Sequence, residues 1–209
     1  MAQAGEQRRV VLLHGLWMPG MAMLWLAAQL KARGFAAQTC GYHSIVGGPD
    51  SAAPRLAAFL RRGPCDVVAH SLGGLVSLET LIRHPDLPVR RLVCLGTPLA
   101  GSGAASGLGG WPLASLWMGR SAGLLRRGCA TWPQHLEVGM IAGRIPRGLG
   151  ALVAGFDEVH DGTVAVSETR VPGLADHIVV DASHSGLMFS DEVAGRIDEF
   201  LQHGRFDRP

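Results

Sequence analysis

Apolar runs of strand length alternate with stretches of helical period along most of the chain. Residues 9–14 (Arg-Val-Val-Leu-Leu-His), 35–40, 65–70, 90–95, 137–143 and 176–181 read as strands. They are short and mostly apolar, and they lack the alternation of a half-solvated sheet. Residues 20–33, 51–62, 72–83 and 189–202 return to apolar positions every three or four residues, which predicts helices. The first helix is expected to bury Met21, Leu24, Trp25, Ala28 and Leu30 and to stop at Gly34. The second is expected to open at Asp50 or Ser51, with Pro54 in its first turn. The last carries Val193, Ile197, Phe200 and Leu201 on one face. Strands and helices in alternation predict the α/β class: about six mostly parallel strands with helices on both faces. With 209 residues and neither repeat nor linker, 1–209 reads as a single domain.

One stretch breaks the rhythm. Between Pro98 and Pro133 eight glycines interrupt an otherwise apolar run, too many for a continuous helix. The segment is long for a strand connection. Residues 99–135 are therefore expected to form a small cap or lid insertion, or a crossover helix with loose ends.

Composition narrows the function classes. Hydrophobic residues make up 47% and charged ones 17%, which supports a large core and excludes a disordered chain. The net charge of +2 argues against a nucleic-acid partner. The arginines fall in scattered pairs (Arg61-Arg62, Arg90-Arg91, Arg126-Arg127), expected to be solvated. No apolar run is long enough to span a bilayer, so no integral membrane segment is expected. Cys40, Cys65, Cys94 and Cys129 fit no metal spacing; the first three look like small buried apolar residues. Free thiols and no apolar leader point to the cytoplasm, although a secreted chain with its signal removed would read the same.

The candidate chemistry centres on Ala69-His70-Ser71-Leu72-Gly73-Gly74. A strand enters this segment and a helix leaves it, so the serine sits at the apex of a tight turn with a helix N-terminus beside it. A serine hydroxyl is a poor nucleophile without a base, and the base needs an acid to orient it. For the base, His184 lies in the loop after the last strand and before the last helix, among small neighbours. His160, His177 and His203 are placed less well. For the acid, Asp161, in an Asp-Gly turn after the fifth strand, comes first; Asp157 is second and Asp181 a distant third. An oxyanion would need two preset donors. The amide of Leu72 is one. The other lies in His14-Gly15-Leu16-Trp17, with Leu16 preferred and Trp17 as alternate. His14 is expected to pin that loop rather than act as a base. Trp17, Met18, Trp111, Leu113, Trp117 and Met118 can line an apolar cleft or belong to the core.

Together, Val10-Val11-Leu12-Leu13-His14-Gly15-Leu16, the Ser71 segment, Leu95-Gly96-Thr97-Pro98, Asp161-Gly162-Thr163-Val164 and Ser183-His184-Ser185-Gly186-Leu187-Met188 resemble the small bacterial lipases and esterases of the α/β-hydrolase superfamily. The likeness runs from residue 10 to residue 201 and is weakest across 99–135. It implies an α/β-hydrolase fold and hydrolysis of carboxylic esters without a cofactor or metal. Ser71 would be nucleophile, Asp161 acid and His184 base, with oxyanion-hole amides at Leu16 and Leu72. The implied partner is a small ester or lipid substrate; acyl chain length and oligomeric state are left open. Acyl transfer or thioester cleavage by the same triad, and a non-catalytic ligand-binding relative, are the alternatives.

Overall fold

The computed structural model describes residues 7–16, 20–42, 48–102, 119–147 and 158–208. Among the described residues six strands form one sheet: β1 (Arg9–Leu13), β2 (Ala36–Cys40), β3 (Cys65–His70), β4 (Val89–Leu95), β5 (Glu137–Gly143) and β6 (Asp176–Val180). They lie in the order β2-β1-β3-β4-β5-β6, and every pairing is parallel. The described helices are α1 (Leu24–Ala32), α2 (Gly48–Leu60), α3 (Leu72–Arg83), α4 (Ala122–Arg127) and α5 (Asp191–His203). A buried parallel sheet needs apolar residues on both faces, and alternate strand residues divide accordingly. Val11, Leu13, Val67, Ala69, Leu92 and Met140 pack with Leu56, Leu60, Leu75 and Leu78 from α2 and α3. Val10, Leu12, Val68, Val93, Leu95 and Ile141 pack with Leu26 and Leu30 of α1 and Ile197 and Phe200 of α5.

Three local expectations are corrected. In α1 the buried residues are Leu26, Ala27 and Leu30, together with Met23 from the preceding 3-10 turn; Met21, Leu24 and Ala28 face solvent and Trp25 is half-buried. This helix is apolar nearly all round, so its period cannot select a face; packing against the sheet and α5 does. The second helix begins at Gly48, which leaves Pro54 in its interior rather than its first turn. Arg91 is not solvated. It is 3% exposed, its guanidinium bonds Glu137 and the carbonyl of Leu201, and its amide donates to Asp66 Oδ1 at 3.1 Å. An arginine inside a strand is tolerated here because its Nε, its Nη1 and its amide each find a partner.

The closing helix shows why its ends fall where they do. Ser190 caps the first turn by accepting from the Val193 amide at 3.3 Å. Asp191 and Glu192 sit at the positive end of the helix dipole. Gly204, at φ 74°, ends the helix, its amide donating to the Phe200 carbonyl. Cys40, Cys65 and Cys94 are buried free thiols, and burial pushes the Cys94 thiol up to about 12. Among the described residues no helix is long and apolar enough to cross a membrane.

Candidate active site

The site lies at the carboxyl edge of the sheet, where strand order reverses between β1 and β3. The chain leaves β1 toward α1 on one face and leaves β3 toward α3 on the other. Neighbouring connections therefore diverge at this edge, the place where ligands of open α/β sheets bind. Ser71 occupies the β3 exit. It has φ 54° and ψ −124° and is the one non-glycine with positive φ among the described residues. Such a conformation costs roughly 1–3 kcal/mol and persists only where its surroundings impose it. Here they do. The Ser71 amide donates to the Leu95 carbonyl at 2.8 Å. Its carbonyl accepts from the Gly74 amide at 3.0 Å and from Thr97 Oγ1 at 2.9 Å. A side chain at position 74 would stand 2.2 Å from Thr97 Oγ1, so only glycine admits this clamp. Leu72 begins α3 directly, and the first amides of a helix have no partner within it.

The structure brings His184 and Asp161 together from separate loops. His184 Nδ1 lies 2.7 Å from Asp161 Oδ2. A carboxylate accepts, so Nδ1 carries the proton and Nε2 is left as the basic nitrogen. The other carboxylate oxygen, Oδ1, accepts from the amides of Thr163 at 2.9 Å and Val164 at 2.8 Å. The His184 amide also donates to the Asp161 carbonyl at 2.8 Å. Asp161 is 1% exposed, so its carboxyl oxygens are satisfied by these donors rather than by water.

The loop that carries His184 follows β6, three strands from β3, a distance of about 14 Å at ordinary strand spacing. It reaches back over the ends of β5 and β4, and two glycines give it room. A Cβ at Gly143 would stand 2.9 Å from the Asp161 Cβ and 2.4 Å from the Ala182 carbonyl oxygen. A Cβ at Gly96 would stand 3.0 Å from Asp161 Oδ2 and 3.1 Å from His184 Nδ1. Neither glycine stands out in the sequence as a site residue. Gly96 directly follows β4 and Gly143 ends β5, and that placement is the signal that could have marked them.

On the β1 side, a Cβ at Gly15 would lie 3.0 Å from the Ser71 Cβ. Only a glycine lets the loop carrying Leu16 pass so close to the serine. His14 holds this loop. It stacks on Tyr42 with ring centroids 4.5 Å apart. Its Nδ1 donates to the Gly15 carbonyl at 2.9 Å, and its Nε2 accepts from the Tyr42 amide at 3.3 Å. Burial lowers the pKa of His14, which keeps the ring neutral and able to play both roles.

The rival residues are engaged elsewhere. His160 Nδ1 accepts from the Gly162 amide. His177 lies within β6 against Thr169, and His203 closes α5. Asp181 pairs with Arg144 at the surface. Trp17, Met18, Trp111, Leu113, Trp117, Met118 and Asp157 lie outside the described residues. Among the described residues no group of His, Cys, Asp and Glu could hold a metal ion.

No protein-family model matches the chain, and no curated protein matches it. Solved structures do. The mature form of the Bacillus licheniformis lipase BlEst2 superposes with a TM-score of 0.78 at 21% identity, over 96% of this chain and 93% of that one. Of the propeptide form of that lipase the chain spans about half, 51% of its length. A pyrethroid hydrolase from Sphingobium faniae JZ-2 matches with a TM-score of 0.65 at 15% identity, over 95% of this chain and 98% of that one. The metagenomic carboxyl esterase MGS0156 matches at 0.64 and 18% identity, over 87% and 65%. At such identities the likeness is one of fold: this chain has the α/β-hydrolase fold.

Proposed function

We propose that the chain, acting as one domain, is a serine hydrolase of carboxylic esters. The observations that carry this reading are a strained serine at a strand-to-helix apex and, in contact with the residue preceding it, a histidine whose ring is already bonded to a buried carboxylate. Ser71 attacks the ester carbonyl while His184 Nε2 takes its proton. The tetrahedral oxyanion rests on the amides of Leu72 and Leu16, the first at the N-terminus of α3 and the second on the loop that Gly15 brings to the serine. His184 then protonates the departing alcohol. Water enters by the same route and releases the acid. Asp161, fixed by the amides of Thr163 and Val164, holds the imidazole in the needed tautomer and stabilises its cation. No step calls for a metal or cofactor. That two of the fold neighbours are a lipase and a carboxyl esterase favours this chemistry over the alternatives that share the triad.

The substrate is a small, lipophilic ester. Met21 and Leu24, which follow the β1 loop, and Phe189, which follows the base loop, are more than half exposed, and the Trp25 and Phe189 rings lie 6.2 Å apart. Large apolar groups in solvent at the ends of two site loops suit an apolar acyl or alcohol group.

A fluorophosphonate should label one serine, at position 71, and Ser71→Ala should lower the hydrolysis rate of p-nitrophenyl esters by at least ~10³-fold. Full activity in that variant, or labelling at another serine, refutes the assignment. A series of acyl lengths then separates esterase from lipase.

A further inference from the structure

The residue before the serine has no part in the triad, yet the structure gives it two contacts with the base. We propose that His70 is a positioning residue. Through its Nε2–H it holds the main chain of His184, and with it the imidazole, at a set distance from Ser71. The inference rests on the triad reading above and adds to it the group that ties nucleophile and base together.

His70 Nε2 lies 2.9 Å from the His184 carbonyl oxygen. A carbonyl can only accept, so Nε2 carries the proton and donates. The two imidazole rings are also in contact, with centroids 4.6 Å apart and planes inclined by 52°. His184 is thereby pinned at three places. Its amide donates to the Asp161 carbonyl, its Nδ1 to the Asp161 carboxylate, and its carbonyl accepts from His70. Asp161 supplies two of these anchors, but Asp161 itself sits on a loop. His70 is the last residue of β3, a fully buried central strand, and adjoins Ser71. It is the anchor that refers the base to the nucleophile rather than to the acid.

Packing alone does not account for the residue. His70 is 1% exposed, and its Nδ1 has no hydrogen-bond partner among the described residues. An apolar side chain of similar volume would fill the space without burying an unpaired nitrogen. The polar atom that does find a partner is the one aimed at His184. Burial, reinforced by the neighbouring His184, lowers the His70 pKa to about 3. The ring therefore stays neutral beside an imidazole that becomes cationic during the proposed reaction, and it does not repel that charge.

The test compares His70→Gln with His70→Met. The side chains are alike in length, but only glutamine can present an N–H where Nε2 stood. The primary readout needs no turnover: the low-field proton of His184 Nδ1–H, observed with ring-15N-labelled histidine in the whole protein. The second is kcat per folded molecule on a p-nitrophenyl ester. His70→Met should broaden or abolish the resonance and lower kcat by about 10- to 100-fold, the cost of about an ångström of misplacement, with KM nearly unchanged. His70→Gln should keep the resonance and recover most of kcat. A folded His70→Met protein with wild-type resonance and kcat overturns the proposal, and so does equal loss in both variants. A Met variant that is merely less stable, with both signals intact per folded molecule, assigns His70 to structure alone and also overturns it. If the wild-type protein hydrolyses no ester while the resonance responds as described, it is the function that fails and not the positioning role.

Discussion

Replacing Gly96 with alanine tests the passage of the acid–base pair over the sheet. Gly96 has φ 55°, where an alanine is strained by roughly 1–2 kcal/mol. Its methyl would stand 3.0 Å from Asp161 Oδ2, 3.0 Å from Leu187 Cδ1 and 3.1 Å from His184 Nδ1. Favourable contacts to carbon begin near ~3.5 Å, so the pair must withdraw by about 0.5 Å. The bond being disturbed is 2.7 Å long, and misplacement by about 1 Å can cost on the order of 10²-fold in rate. Gly96→Ala should therefore lose about 10- to 100-fold in kcat, with KM little changed, and about 1–3 kcal/mol of stability. Gly34→Ala is the control. Gly34 also has positive φ, 91°, but nothing lies within 4 Å of its Cβ position. It should lose comparable stability and keep kcat. Urea unfolding gives the first quantity, and ester hydrolysis per folded molecule gives the second. Wild-type kcat in Gly96→Ala, or an equal kcat loss in Gly34→Ala, refutes the reasoning.

Two further outcomes concern stability. His70 and His14 are buried neutral, with pKa values below the ordinary ~6.5. As pH falls from about 7 to about 5, the unfolded chain takes up protons at these rings and the folded chain does not, so stability falls with pH. His70, lowered to about 3, accounts for about 2 kcal/mol of this loss at about pH 5. Urea midpoints across that window measure it; His70→Gln should flatten the slope, and no slope in the wild type contradicts it. Arg91→Met removes the guanidinium from Glu137 and from the Leu201 carbonyl at the amino end of the sheet, away from the site. It should cost about 2 kcal/mol in urea unfolding while kcat per folded molecule holds, and a stability change within ~0.5 kcal/mol would show that these contacts contribute nothing net.

The strand–turn–helix from residue 65 to residue 83 is legible in the sequence because local chemistry dictates it. A buried, mostly apolar run meets small residues and then a helical period, and the bounds of β3 and α3 agree with that pattern. The parallel sheet and the amphipathic face of α5 are legible for the same reason. The inward face of α1 is not, since an all-apolar helix has no preferred side until the sheet and α5 supply one. Nor is the burial of Arg91, whose partners Asp66, Glu137 and Leu201 come from three other elements. At the candidate site, sequence order names Ser71, Asp161 and His184 as residue types in suitable loops. Only the tertiary structure brings Asp161 within 2.7 Å of His184, frees room for both with Gly96 and Gly143, and ties His184 to the residue preceding the serine. The physical reason is range: helix period, strand burial and turn strain act between neighbours along the chain, whereas a hydrogen bond between groups over a hundred residues apart exists only once the sheet has set where its loops end.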